Sequence, residues 1–122
     1  MSVACLTNVR ISSGSKALIP MQLWSEDING VRQNIGISGG STVTFWVRDR
    51  LTEQVYIGPV DVVSTTTGSD WANGLVVASL TETDTAFTVK MDDAVAVVNI
   101  DDTLAQTNLD YFRGGVELVP GT

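Results

Sequence analysis

Ser41-Thr42-Val43-Thr44-Phe45-Trp46-Val47-Arg48-Asp49 alternates with a period of two. Val43, Phe45 and Val47 point to one side, and Thr44, Trp46 and Arg48 point to the other. Alternation rich in β-branched and aromatic residues is the pattern of a half-buried strand. Gly39-Gly40 before the run and Asp49-Arg50 after it supply the turns that bound it. This stretch sets the expectation for the whole chain, an all-β domain.

The same logic extends in both directions. Val3 to Ile11 and Ala17 to Trp24 read as strands separated by the turn Ser12-Ser13-Gly14-Ser15. Pro20 lies inside the second, which points to an edge position or a bulge, because proline has no N–H to give a ladder. Val55 to Val63, with Gly58-Pro59 inside it, reads as one bent strand or two short ones. Further strands are expected at Leu75 to Leu80, Phe87 to Met91, Ala94 to Ile100 and Val116 to Val119. Asp102 to Asn108 is the best helical stretch, with Asp101 or Asp102 as a cap, and it reads equally as a loop. Short strands at this spacing, divided by Gly, Asn and Asp turns, point to one antiparallel two-sheet sandwich.

Composition narrows the function. A chain of 122 residues is the size of one domain, and its 43% hydrophobic content is enough for a core without a disulfide or a metal. Seven basic against 14 acidic side chains leave a net charge of −7. No nucleic-acid or anionic-membrane partner is therefore expected, since both need a basic face. Cys5 is the single cysteine and reads as a small apolar residue. The start, Met1 to Asn8, lacks the basic residues and apolar run of a secretory signal, so synthesis in a reducing cytoplasm is expected. No run reaches the ~20 apolar residues of a membrane-spanning helix.

Catalytic chemistry has little to work with. Histidine is absent, which removes Ser-His-Asp and Cys-His pairs and imidazole metal ligands. Three adjacent carboxylate pairs, Glu26-Asp27, Asp92-Asp93 and Asp101-Asp102, are formal candidates for glycoside hydrolysis or calcium binding. Each falls in an expected turn, where Asp is common for local backbone reasons. Asp92-Asp93 and Asp101-Asp102 would also have to approach one another. Gly36 to Gly40 leads into a strand and carries no lysine, so it is a turn and not a phosphate loop. The expectation is no enzyme, no catalytic residue, no cofactor and no metal.

Aromatic residues carry more. Trp46 lies opposite the Val43-Phe45-Val47 face and points outward if that face is the core. Trp71 sits among small polar residues, in a loop. Exposed tryptophans mark protein interfaces, the alternative being cover by a neighbouring loop. Trp24 is expected in the core. The apolar residues Val3, Leu6 and Val9 fit either a first strand or an arm, residues 1–16, laid on a neighbouring subunit. Trp46, Trp71, Val3, Leu6 and Val9 are therefore the interface candidates.

The order of these features resembles a known family. Leu18 to Trp24, the turn Asn29-Gly30-Val31, Ile35 to Gly39 and Val43 to Asp49 form a first part. Gly74 to Leu80 running into Thr81-Glu82-Thr83-Asp84-Thr85 forms a second. Together they are similar to the immunoglobulin-like domain at the amino terminus of phage baseplate upper proteins and in related small phage structural proteins. The likeness covers residues 17–85 and rests on strand and turn patterns. Phe112 to Val119 resembles the family's closing Gly-Val strand, whereas Phe87 to Met91 and the Ala-Val run after it depart from the pattern. The resemblance implies an Ig-like β-sandwich and a virion structural protein. Within a virion, the expectation is a capsid decoration (cement) protein, because the chain reads as the domain alone. Its expected partners are the major capsid protein first and tail proteins second, in a homo-oligomer such as a trimer. A tail, baseplate or head-to-tail connector subunit is the alternative. A carbohydrate-binding module using Trp46 and Trp71 as stacking platforms is the reading from another class.

Overall fold

The register of the central strands builds the molecule. The structure, a computed structural model, describes the backbone of residues 2–5 and 9–120, and the side chains of 9–120. Nine strands appear in it: β1 (Ser2–Cys5), β2 (Arg10–Ser12), β3 (Ala17–Glu26), β4 (Arg32–Asn34), β5 (Thr42–Arg48), β6 (Val55–Val62), β7 (Leu75–Leu80), β8 (Met91–Asp102) and β9 (Thr107–Val119). The only helical turn among the described residues is a 3-10 turn at Trp71–Asn73.

One layer is built on β3, which pairs with β7, β1 and β4, all antiparallel. The other layer runs β6-β5-β8-β9, also antiparallel, with β2 added parallel to β9. β1 stitches the layers along one side. Ser2 lies beside Trp24 of β3 and also beside Phe112 of β9, so hydrogen bonding is continuous around that edge. A first strand shared between two facing sheets, with β3–β7 in one and β5–β8–β9 in the other, is the Ig-like sandwich.

Alternating residues meet between the layers. Ile19, Met21 and Leu23 of β3 and Val76, Ala78 and Leu80 of β7 face Val43, Phe45 and Val47 of β5 and Ala96, Val98 and Ile100 of β8. Tyr111, Val116 and Leu118 close the core from β9. Burying such side chains stabilises by roughly 1.5–3 kcal/mol each relative to exposure, and it fixes register, since a one-residue slip would turn the whole set outward. Pro20 pairs with Val77 of β7 on one side of β3. Its other side lies beyond the last β1 pair, Cys5 with Met21, where the chain after Cys5 falls outside the described residues. β6 is one bent strand. Its ladder with β5 shifts register between Phe45 and Val47, opposite Gly58-Pro59.

Four sequence expectations are corrected. Val3 to Ile11 is not one strand but β1 and β2, both paired within this chain's own sheets, so residues 2–5 and 10–12 do not form an arm reaching away. Phe87 to Met91 is not a strand. Phe87 anchors a loop instead, buried in the core, while Ser13 Oγ donates to the Phe87 carbonyl at 2.7 Å. Asp102 to Asn108 is not helical. β8 and β9 form a hairpin there, with Gln106 at a positive φ of 56° and the Asp102 carboxylate accepting from Ala105 N–H at 3.2 Å. Trp24 is not in the core. It lies half-buried on the outer side of β3, opposite in parity to Met21 and Leu23, under the Arg32 guanidinium at 4.1 Å.

Candidate protein-contact face

The face that matters is the outer side of the longer sheet. In β5 the outward residues are Thr44, Trp46 and Arg48, as alternation requires. The ladder places Trp46 beside Val97 of β8, and Val97 beside Phe112 of β9. One row of apolar side chains thus crosses three strands on the side turned away from the core. Val95, beside Arg48, extends it. Cross-strand neighbours of this kind sit ~4.5–5.5 Å apart at Cβ.

Burial on this face is unusual for an outer surface. Val97 is 1% and Val95 7% exposed, yet neither belongs to the core between the layers. Trp46, half-buried, and Phe112, 45% exposed, flank them on the same face. Arg48 lies over the Phe112 ring, 5.8 Å from its centre, an arrangement that lets a cation shelter an aromatic surface. Toward the β8–β9 hairpin the face becomes polar, where Asn99 Nδ2 donates to the carboxylate of Asp110 at 2.7 Å and to Asn108 Oδ1.

At the β6 bulge Gly58 and Pro59 both lie opposite Trp46. Gly58 has φ 83°, and a Cβ there would come within 2.6 Å of the Phe45 carbonyl oxygen. Only glycine fits at this position. Val55, 42% exposed and paired with Arg48, completes an apolar surface of Val55, Trp46 and Phe112.

The other interface candidates fall elsewhere. Trp71 is buried in the core, and its carbonyl accepts from Ile37 N–H at 2.8 Å and Gly74 N–H at 3.0 Å. It is therefore no exposed platform, and the paired-tryptophan geometry of a carbohydrate-binding module is not formed. Val9 is buried in the core as well. Val3 and Leu6 lie outside the residues whose side chains are described.

The carboxylate pairs serve turns and ion pairs. Asp27 accepts from Asn29 and Val31 N–H at 2.8 and 2.9 Å, and Glu26 pairs with Arg32 at 3.7 Å. Asp93 pairs with Arg50 at 2.8 Å. Asp92-Asp93 and Asp101-Asp102 do not approach one another. They sit at opposite ends of β8, roughly 25–30 Å apart at ~3.3 Å per residue. Among the described residues no three Cys, Asp or Glu side chains gather as a metal site. Two titrating groups are displaced. Backbone N–H groups of Thr52 and Leu51 hold the Asp49 carboxyl below its usual range, and burial pushes the Tyr111 phenol up.

Sequence reading found Trp46 and missed Val95, Val97 and Phe112. The signal was present in Val95-Ala96-Val97-Val98, an unbroken apolar run that marks a strand covered on both faces. No protein-family model matches the sequence, and no curated protein matches it.

Proposed function

We propose that this chain is a non-enzymatic structural protein of a bacteriophage particle, one that decorates the capsid shell by docking on its proteins. The observation that carries this is the Trp46–Val97–Phe112 row, which puts aromatic anchors on the outer face of a rigid sheet. Aromatic and arginine side chains centred on a desolvated patch are the usual energetic core of a protein interface. Arg48 against Phe112 completes that composition. Strands position these side chains better than loops would, so docking there orders little that is mobile. The particle itself is inferred from the strand-and-turn resemblance of residues 17–85 to phage Ig-like domains, a resemblance that implies a sandwich of this class.

Quantitative mass spectrometry of purified virions tests the reading. A copy number near that of the major capsid protein is expected. A ratio like that of tail-tip proteins would replace shell decoration by a tail, baseplate or connector position. Absence from the particle would overturn the virion reading.

A further inference from the structure

The charge of this chain is not spread evenly along the sandwich. The row Phe45–Val98–Tyr111 marks its waist. From the level of Ser2, β3 runs to Glu26 in the direction in which β9 runs back to Thr107, so the β3–β4 turn and the β8–β9 hairpin share one pole. That half carries Glu26, Asp27, Asp61, Asp101, Asp102 and Asp110 against one cation, Arg32. The rest of the chain holds eight carboxylates and six cations, including Arg50 and Lys90. Most of the net −7 therefore sits in the hairpin half.

The same pole exposes large apolar side chains where turns ordinarily carry polar ones. Ile28 is 100% and Leu104 89% exposed, and Val31 and Val63 are each 54% exposed. The opposite half exposes Leu51 at a loop tip, and Leu18 and Val55 on strands rather than on turns. Ile28 and Leu104 are presented on ordered turns. Asp27 accepts from two backbone N–H groups around Ile28, and Asp102 accepts from Ala105 N–H beside Leu104. Tips held this way need little further ordering to bind.

We infer that this pole is a second docking surface, whose occupant is a different protein with an apolar depression rimmed by Lys and Arg. The exposed tips supply apolar contact, and the carboxylates around them select a basic rim by complementarity. A second copy offering its own hairpin pole would meet like charge. Nucleic acid and anionic lipid are disfavoured for the same reason.

The inference rests on the virion reading, and carbodiimide cross-linking of intact virions separates the two. The reagent joins carboxylates to amines in direct contact. Links from Asp27, Asp101 or Asp102 to lysines of a second protein are expected. The Ile28→Ser/Leu104→Ser variant, altered only at exposed tips, should load onto particles about tenfold less well at matched concentration. Particle-associated chain with no such links, or linked only through Glu82, Asp92 or another copy, would overturn the inference and leave the virion reading standing. Absence of the chain from virions would overturn both.

Discussion

Gly30 and Gly74 share a backbone angle, φ 79°, and differ in everything around it. A Cβ on Gly30 would meet open space, whereas one on Gly74 would run into the carbonyl oxygen of Ile35 and lie 2.9 Å from that of Leu23. Gly30→Ala should therefore cost only the left-handed backbone term, about 1–2 kcal/mol. Gly74→Ala adds a collision between β3 and the chain leaving Trp71, and should cost well over ~3 kcal/mol. Urea unfolding of the two variants measures the difference. Tyr111 provides a residue-scale test of burial. Its phenol is pushed up by desolvation, while the unfolded chain titrates near 10.0. Stability is unaffected by this group below that range. It falls as pH rises above it, because the unfolded state releases the proton more readily. Unfolding at pH 9 and 11 should show that fall, and Tyr111→Phe should reduce it.

Elements differ in how far their own residues announce them. β5 was legible because it has one buried and one outer face and its alternation shows it, and β7 because a run of β-branched and apolar residues, Leu75 to Ala78, follows a Gly-containing turn. β4, Arg32–Asn34, is wholly exposed and carries no pattern, and its pairing to β3 is purely a tertiary event. The first half of β9 was hidden for a related reason: Asn108, Asp110 and Arg113 are polar, and Gly114-Gly115 reads as a turn. The loop after β7 was mistaken for a strand because Phe87 is apolar and buried. What holds that loop is a polar anchor. Thr85 is fully buried, its hydroxyl donates to the Ser15 carbonyl at 2.9 Å, and its own carbonyl accepts from Gly14 N–H at 2.9 Å. Thr85→Val keeps the shape and strands the Ser15 carbonyl, so it should destabilise by about 1–2 kcal/mol, measurable in thermal or urea unfolding. Of the candidate face, Trp46 was readable from its own strand. Val97 was legible within its own apolar run as covered on both faces, but its place beside Trp46, and that of Phe112 beside it, came only through ladder register.

At the scale of the molecule, the sandwich separates what folds it from what it displays. The core lies between the layers, and the Trp46–Val97–Phe112 row lies outside them, so a change at Phe112 can weaken docking while sparing the fold. Phe112→Lys should shift stability by no more than about 0.5–1 kcal/mol, as outer-surface changes do. It should also lower incorporation of the chain into particles at least about tenfold, read by quantitative mass spectrometry against the capsid protein. Equal incorporation of the variant and the native chain would remove Phe112 from the contact. The most direct measurement is hydroxyl-radical footprinting of Trp46 and Phe112 in purified protein and in intact virions. Labelling of both side chains should drop severalfold in the particle, while labelling of Leu51, exposed at the tip of the β5–β6 loop, stays closer to its free value. Undiminished labelling of Trp46 and Phe112 in particles that contain the chain would contradict docking through this face.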